Sequence, residues 1–425
     1  MPTTLDPQPL RAQFPSLAQQ VNGHAAAFFD GPGGTQTPQR VIDAMGAYLA
    51  NDNSNVGGAF GTSQRTGQVV AEARQAVADL LNARRPEEIA FGQNMTSLTF
   101  AASRAIARTW SPGDEIIVTY LDHDANITPW MMAAADSGVK VRWLDIRTED
   151  CTVDFQSLEK LLNERTRLVA VTYASNAVGT IVDVGRVAKM AHAVGALVYV
   201  DAVHYTPHNP IDVQAIDCDF LACSAYKFFG PHTGILYGKY ELMDSLQAYK
   251  VRPAPSRPPG KWETGTQSFE SLAGVKAAVD YLEEIGRAAG DDGATDLVRY
   301  SGRARRLKRA LQVIKSYEAT LSEHFLNQAT SVPGLRVYGI TDVERLEQRA
   351  PTFAVSMAGY TPRHVAEYLG RQGFFVWDGD YYAVAVMEQL GRLDQGGLVR
   401  IGFVHYNTIE EIDRLIDALK AIRVS

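Results

Sequence analysis

Short apolar runs rich in β-branched residues alternate with helix-like segments between residues 88 and 238. The runs that predict strands are residues 88–91, 115–120, 139–146, 168–173, 196–200, 220–223 and 234–237. Helical periodicity of the apolar positions separates most of them, as at 99–109 and 184–194. Nearly continuous apolar strands that alternate with helices indicate a mostly parallel, seven-stranded sheet covered on both faces.

The flanking segments are mainly helical. Apolar periodicity predicts helices at 37–51, 64–83 and 303–327, whereas the proline-rich stretch 252–261 predicts a loop or arm. Strand-like runs at 352–356 and 399–403 precede a helix that opens with a capping box, Thr408 to Glu411. We therefore expect an α/β protein with an N-terminal arm (1–28), a large domain (29–280) and a smaller α+β C-terminal domain (281–425) packed with the arm.

Composition narrows the classes of partner. The 425 residues carry a net charge of −7, which offers no positive surface to nucleic acid or to an anionic membrane. No apolar run approaches the roughly 20 residues that span a bilayer. The first residues are polar with prolines, where a signal peptide would need an apolar core. We expect a cytoplasmic protein without nucleic-acid or membrane partners.

Cysteine usage argues against metal and disulfide chemistry. The cysteines are Cys151, Cys218 and Cys223, and none of them lies in a CxxC pair. We therefore expect three half-buried thiols, no disulfide framework and no metal site.

Two charged residues follow predicted strands, at the edge where open α/β sheets bind ligands. Asp201, in ALVYVDAVH, would be costly to bury unless a cation such as a protonated ring nitrogen met it. Lys227, in CSAYKFFGPHTGILYG, could form a Schiff base, because desolvation lowers the pKa of its amine. Taken singly, a capping or salt-bridged aspartate and a surface lysine are the simpler interpretations.

A third element is the turn GQNMTS, residues 92–97, which joins a predicted strand to a helix. Backbone N–H groups, the helix dipole and the hydroxyls of Thr96 and Ser97 could together hold a phosphate. A simple helix N-cap is the alternative.

Along the chain, the turn 92–97 comes first, then Asp201, then Lys227. Three such elements in this order resemble the class V aminotransferase family of fold-type I enzymes, which use pyridoxal 5′-phosphate (PLP). The similarity is greatest to the cysteine desulfurase and selenocysteine lyase branch. It extends from FFDGPGGTQTP, which begins at residue 28, to VRIGFVHYNT, which begins at residue 399. The resemblance implies a fold-type I architecture, with the active site at the strand ends between the two domains.

The resemblance also implies a role for each matching residue. Lys227 would be the Schiff-base lysine, Asp201 would hold the pyridinium nitrogen, and His123, in LDHDANITPW, would stack on the cofactor ring. Asn176, in YASNAVGT, would lie beside the phenolic oxygen. The residues that match the phosphate cup are Met95, Thr96 and Ser224.

Two further matches concern the partner subunit and the substrate. Thr266, in ETGTQSF, resembles a threonine that reaches the phosphate of the other subunit's cofactor, which implies a homodimer with shared active sites. Arg400 matches the arginine that binds the substrate carboxylate, a task suited to a bidentate guanidinium. A capping histidine at position 123 and a structural arginine at position 400 are the alternatives.

Three positions depart from the desulfurase pattern. Tyr382 falls where desulfurases have the mobile cysteine that accepts sulfur as a persulfide, and no cysteine follows Cys223. His204 stands where glutamine is usual, near the phenolic oxygen. Tyr226 stands where histidine is usual, and its hydroxyl could still reach the phosphate.

Aromatic and acidic residues surround Tyr382. Trp377, Tyr381 and Tyr382 could line a substrate pocket or pack beneath a loop. Asp378 and Asp380 would either select a substrate with a positive group or be solvated at the surface.

We therefore expect a PLP-dependent enzyme that acts on a small L-amino acid by β-elimination of the C–S lyase type. This reaction needs the cofactor, a base and a carboxylate-binding arginine, but no persulfide cysteine. The open alternatives are a cysteine desulfurase that uses an external thiol, an epimerase, an aminotransferase, and a non-catalytic PLP-binding partner protein.

Overall fold

The computed structural model describes residues 5–290 and 297–422. Residues 1–4, 291–296 and 423–425, which belong to the predicted arm and small domain, lie outside the described residues. The helices are α1 (Gln8–Arg11), α2 (Gln39–Asn51), α3 (Gly61–Leu81), α4 (Met95–Ala107), α5 (Thr128–Ser137), α6 (Phe155–Leu161), α7 (Val184–His192), α8 (Val213–Ile216), α9 (Tyr240–Ser245), α10 (Phe269–Ala289), α11 (Gly302–Ala329), α12 (Pro362–Arg371), α13 (Val384–Gln389) and α14 (Ile409–Ala421).

The strands fall into one large sheet, one small sheet and several two-stranded pairs. They are β1 (Gln20–Val21), β2 (His24–Ala25), β3 (Ala27–Phe28), β4 (Ile89–Gly92), β5 (Glu115–Thr119), β6 (Lys140–Leu144), β7 (Ile146–Arg147), β8 (Thr152–Val153), β9 (Thr166–Thr172), β10 (Leu197–Asp201), β11 (Phe220–Ser224), β12 (Gly234–Gly238), β13 (Leu335–Tyr338), β14 (Thr352–Met357), β15 (Phe374–Phe375), β16 (Trp377–Gly379) and β17 (Leu398–Gly402).

The large sheet has seven strands in the order β4-β12-β11-β10-β9-β5-β6. All neighbouring pairs are parallel except the two that β12 makes. Strands β5, β11 and β12 are buried at every position, which is typical of a sheet covered on both faces. The predicted α/β architecture with a mostly parallel, seven-stranded sheet is confirmed.

One predicted strand was wrong in extent. The run 139–146 divides, because β6 ends at Leu144, and β7 then pairs with β8 outside the large sheet.

Alternate residues of the large sheet enter two different cores. Along β10, Val198 and Val200 pack with helices α3, α7 and α10, whereas Tyr199 packs with α4 and α5 on the opposite face. The alternation follows from the two-residue period of a β-strand. The sheet is therefore a central layer between two helical layers, and its strand ends remain available for a site.

The small sheet, in the order β13-β14-β17-β16, is antiparallel throughout. It packs with α12, α14 and the second half of α11, and Ala27 and Phe29 from the N-terminal region join its core. The capping box from Thr408 to Glu411 begins α14 as predicted. The predicted domain limits stay a prediction, since α10 passes through residue 280 without interruption.

The proline-rich stretch 252–261 forms neither a helix nor a strand, as predicted, and lies in the connection from α9 to α10. Within residues 5–290 and 297–422, no helix is long and apolar enough to cross a membrane.

Candidate active site

The parallel strands β5, β9, β10 and β11 deliver most of the candidate residues to one edge of the large sheet. Asp201 is the last residue of β10, and Ser224 is the last residue of β11, with Lys227 three positions later. His123 follows β5, and Asn176 follows β9. Because parallel strands end at the same edge, these side chains converge there.

Lys227 is buried in a short helical turn after β11. Its Nζ atom donates a hydrogen bond to the carbonyl of Pro32 and lies 4.8 Å from the ring centroid of Tyr226. Burial, and after it the positive charge of Arg400, lowers the pKa of Lys227 to about 7, although two nearby carboxylates act in the opposite direction. A substantial fraction of the amine is therefore unprotonated and nucleophilic at neutral pH.

Two buried carboxyl groups lie at the same edge and differ in charge. Asp201 accepts a hydrogen bond of 2.9 Å from the backbone N–H of Val203, and burial raises its pKa to about 6. Asp122 accepts hydrogen bonds from Thr119 and Asn126, and burial, with a contribution from the Asp201 carboxylate, raises its pKa to about 8. At pH 7 Asp122 is mainly neutral, whereas Asp201 carries most of the negative charge.

His123 both caps a turn and presents its ring to the site. Its Nδ1 atom accepts a 3.0 Å hydrogen bond from the backbone N–H of Ala125. His123 is therefore the N-cap of this turn, as the alternative interpretation expected. Its ring stacks on Tyr382 with centroids 5.6 Å apart and planes 17° apart. Burial, aided by the positive charges of Lys227 and Arg400, lowers its pKa to about 4, so the ring is neutral at physiological pH.

Arg400 lies in β17 of the small sheet, and its side chain reaches the residues at the edge of the large sheet. Its Nη1 atom donates a 3.0 Å hydrogen bond to the carbonyl of Asn176, and its guanidinium lies 4.4 Å from the ring centroid of Tyr381. The Nδ2 atom of Asn176 donates to the Tyr381 carbonyl, also at 3.0 Å. Among the described residues, the buried Nε of Arg400 and Oδ1 of Asn176 have no hydrogen-bond partner.

The predicted phosphate cup lies at the first turn of α4. The backbone N–H of Met95 donates to Ser224 Oγ at 3.1 Å, which joins this turn to the end of β11. Asn94 is the N-cap and forms a capping box with Ser97, so the hydroxyl of Ser97 belongs to the cap rather than to the cup. Thr96 is exposed at the helix start, where backbone N–H groups favour an anion.

The two unusual residues of the predicted cofactor site have well-defined partners. His204 is buried, and its Nε2 atom lies 2.9 Å from the hydroxyl of Thr352 in β14. Burial, together with nearby positive groups, holds the pKa of His204 well below its usual value. The Tyr226 ring stacks on His232 with centroids 4.7 Å apart, and its carbonyl accepts hydrogen bonds from Thr35.

Thr266 is the one predicted site residue that the fold of a single chain does not bring to the cluster. It is exposed in the loop before α10, and in the part of the chain that the structure describes no hydrogen bond joins it to the other candidates. Its role in a partner subunit's site stays a prediction.

Asp30 is a site residue that the sequence analysis missed. It bridges to Gly402 at the end of β17, and its Oδ1 atom is buried without a hydrogen-bond partner among the described residues. Burial raises its pKa to about 6, against the opposing effect of Arg400 and Lys227. Its position in FFDGPGG was a usable signal, because a carboxylate there interrupts an apolar run just before a glycine-rich turn.

The three cysteines are fully buried rather than half-buried as predicted. Burial raises the pKa of Cys151 and of Cys223 to about 12 and also raises that of Cys218. No group of histidine, cysteine or acidic side chains suited to a metal ion occurs within the described ranges.

The residues at this edge fit PLP. A lysine with a lowered pKa suits a covalent link to an aldehyde, and the ionised Asp201 suits a protonated ring nitrogen. The turn at Met95 and Ser224 suits a phosphate. Buried polar atoms are normally paired, so the orphaned atoms of Asn176 and Arg400 indicate that a bound molecule completes the site.

Comparisons with known proteins show the family to which the chain is similar. The family model for class V aminotransferases matches residues 27–304 and 304–415. A cysteine desulfurase from Pectobacterium atrosepticum is 32% identical over 428 residues, which cover 97% of each chain. A cysteine desulfurase from Synechococcus elongatus is 31% identical over 97% of this chain, but this chain spans only 63% of that relative's length.

Solved structures show the same fold. The apo structure of a cysteine desulfurase from Thermococcus onnurineus NA1 superposes with a TM-score of 0.86 at 26% identity, and the match covers 99% of this chain and 98% of that one. A cysteine desulfurase from Escherichia coli in an S-sulfonic acid form gives a TM-score of 0.81 at 27% identity over 98% of both chains.

Proposed function

The chain belongs to the class V aminotransferase family, as a cysteine desulfurase-like enzyme with PLP as its cofactor, and we propose that it catalyses β-elimination from a cysteine-like L-amino acid. The sulfur substituent would leave as a thiol or as sulfide. The three carbon atoms of the substrate would be released as pyruvate and its α-nitrogen as ammonia.

The location of the thiols is the observation that carries this proposal. Desulfuration through a protein persulfide needs a thiolate beside the substrate sulfur, but all three cysteines are buried with raised pKa values. A tyrosine, Tyr382, occupies the loop position against His123. Since β-elimination expels sulfur without a protein nucleophile, it is the desulfuration chemistry that these side chains support best.

The site residues would bind the cofactor and the substrate. Bound PLP supplies an electron-withdrawing ring that stabilises negative charge at the substrate Cα. Lys227 would hold the cofactor, Asp201 would keep its ring nitrogen protonated, and the turn at Ser224 would bind its phosphate. His123, whose neutral ring carries no competing charge, would stack on the cofactor, and Arg400 would bind the substrate carboxylate.

Proton transfer would depend on Lys227. An amine with a pKa of about 7 suits a general base at neutral pH, so we assign removal of the Cα proton to this residue. The electrons of the Cα–H bond form a Cα=Cβ double bond while the Cβ–S bond breaks. The sulfur leaves with its electron pair and takes up a proton, and water hydrolyses the enamine product to pyruvate and ammonia.

We extend the proposal to the remaining predicted contacts. Asn176 and His204 would lie beside the phenolic oxygen, and Met95, Thr96 and Tyr226 would face the phosphate. Thr266 would reach the phosphate in a second copy of the chain, so that two subunits share each active site. The exposed position of Thr266, away from its own chain's cluster, is compatible with such a homodimer.

A cysteine desulfurase that uses an external thiol is the second candidate, because the similar proteins above are named cysteine desulfurases. The two are distinguished by incubating the PLP-loaded protein with L-cysteine and excess reductant, and then measuring pyruvate and alanine. We expect pyruvate with sulfide and ammonia. Alanine with sulfide would establish the desulfurase, whereas the absence of both products would turn the search to epimerisation and transamination.

A further inference from the structure

The segment that runs from β16 to Tyr382 bears two large aromatic side chains that are more than half exposed, Trp377 at 52% and Tyr382 at 72%. We propose that these two rings form an aromatic rim that selects cysteine derivatives whose sulfur carries an apolar or aromatic substituent. The inference rests on the proposed β-elimination and names its substrate class.

Trp377 lies beside the candidate carboxylate-binding arginine. In the antiparallel pair of β16 with β17, Trp377 is directly opposite Arg400. Directly opposed residues project from the same face of a sheet, with Cβ atoms about 4.5–5.5 Å apart. A substrate whose carboxylate is bound by Arg400 therefore has the indole of Trp377 as a neighbour.

Trp377 also contacts the turn at Pro32 and Gly33, which accepts a hydrogen bond from Lys227. A Cβ atom added to Gly33 would lie 2.3 Å from Trp377 Nε1, so the indole rests directly on this glycine. The preceding residue, Pro32, accepts the hydrogen bond of the Lys227 amine. The indole thus lies beside the arginine that would bind the substrate carboxylate and against the turn that accepts the hydrogen bond of Lys227.

Tyr382 defines another side of the rim, against His123. Tyr381 and Tyr382 both have φ near +57°, a conformation that non-glycine residues seldom adopt and that surrounding contacts must stabilise. The carbonyl of Tyr382 accepts a 2.7 Å hydrogen bond from the backbone of Asp124, and the carbonyl of Tyr381 accepts one from Asn176. These anchors fix the phenol ring over His123 with most of its surface open.

Each acidic residue beside the rim has a polar partner within the chain. Asp378 lies 3.4 Å from the guanidinium of Arg363, and Asp380 accepts a 2.8 Å hydrogen bond from the backbone of Tyr382. The ion pair with Arg363 reduces the attraction of Asp378 for a cationic substrate. Aromatic faces instead attract sulfur atoms and apolar groups, including other rings.

The reaction of such a substrate keeps the balance given above. The Cα proton is removed, the Cβ–S bond breaks, and the substituted sulfur leaves with the electron pair and becomes a thiol on protonation. Water then converts the three-carbon fragment to pyruvate and ammonia. No oxidant or reductant is consumed.

The test compares kcat/KM for S-benzyl-L-cysteine and S-methyl-L-cysteine in the PLP-loaded enzyme. We expect a preference for the benzyl substrate of about tenfold or more, as hydrophobic-pocket discrimination typically provides. Trp377→Ala and Tyr382→Ala should each reduce this ratio severalfold. Tyr249→Ala, which removes a 54% exposed aromatic ring beside Arg108, is the matched control and should leave the ratio unchanged. Equal use of the two substrates, or an unchanged ratio in both rim variants, would overturn the proposal.

An equilibrium measurement separates the rim from the reaction. In a Lys227→Ala background, which cannot turn over, calorimetry should show tighter binding of S-benzyl-L-cysteine than of S-methyl-L-cysteine, and Trp377→Ala should remove the difference. If pyruvate forms but neither binding nor turnover shows the preference, the rim is wrong and the β-elimination stands. If no cysteine derivative yields pyruvate while the binding preference persists, the β-elimination fails and the rim stands.

Discussion

At the scale of single residues, two lysines show that burial alone does not make a reactive amine. Lys227 and Lys308 are both buried, and burial lowers the pKa of each to about 7. The Lys308 amine, however, donates hydrogen bonds to two backbone carbonyls, those of Leu80 and Ile211. Lys227 also donates to a backbone carbonyl, that of Pro32, but it lies just after β11, at the strand ends near Asp201 and Arg400. Its position at the edge where the parallel strands end distinguishes the candidate catalytic lysine from the structural one.

Replacement of Lys227 by alanine is therefore expected to lower pyruvate formation by about 10³-fold or more, because the change removes both the attachment point and the base. The visible absorption of the lysine-bound cofactor should be lost at the same time. Lys308→Met is the control, and it should lower the stability but keep the activity of the folded fraction. Undiminished biological activity in Lys227→Ala would instead support the non-catalytic PLP-binding protein.

At the scale of elements, the start of α4 combines a stability device with a predicted ligand site. Asn94 caps the helix, and Met95 ties it to Ser224. Strand β12 passes immediately beside the cap, since a Cβ atom at Gly234 would lie 2.4 Å from the backbone carbon of Asn94. Only glycine permits this approach, so the helix start is held against the sheet edge. Its position therefore determines where a phosphate could bind.

Asn94→Ala is expected to lower the free energy of unfolding by about 1 kcal/mol, the usual cost of a lost N-cap. It should also weaken PLP binding, because the first turn of α4 would no longer be held in place. Urea unfolding and a fluorescence titration with PLP measure the two effects. Thr408→Ala removes the equivalent cap from α14 and should lower stability by a similar amount with no change in PLP affinity. Unchanged PLP binding in Asn94→Ala would argue against the phosphate cup.

At the scale of the whole molecule, the site joins the two sheets and also makes stability depend on pH. Arg400 and Thr352 of the small sheet contact Asn176 and His204 of the large-sheet region. The same region contains Asp122, whose pKa rises from 3.8 to about 8 on burial. An acid with a raised folded-state pKa contributes its full stability below its unfolded pKa and loses it as pH rises through the folded value. For Asp122 this loss extends from about pH 4 to pH 8.

Asp122→Asn should abolish that loss while keeping a side chain of the same shape. Relative to the natural chain, the variant is expected to gain up to about 1.4 kcal/mol of unfolding free energy per pH unit between pH 6 and 8. Urea unfolding of the cofactor-free protein at several pH values measures this difference. Comparing the two proteins cancels the buried lysines, which act in the opposite direction above pH 7. Asp136→Asn, at an exposed position of α5, should show no pH-dependent gain.

The sequence by itself determined the α/β architecture and the identity of most candidate residues. Apolar periods of two and 3.6 residues are local properties, and they predict strands and helices without knowledge of distant contacts. Asp201 and Lys227 could be singled out because each lies at or just after the end of a predicted strand, the edge where α/β sheets bind ligands, and the family resemblance then implied their roles. The capping box at Thr408 could be found from the sequence because both of its partners, Thr408 and Glu411, lie within one helical turn.

Only the tertiary structure decided which residues act together. Trp377 meets Arg400 through a strand register, and Asp30 reaches the site from a position 370 residues before Arg400 in the chain. Whether Ser97 serves a cap or a ligand, and how deeply the cysteines lie, also depends on packing by distant segments. Periodicity does not encode such contacts, because side-chain burial and electrostatic environment arise only when segments far apart in sequence come together.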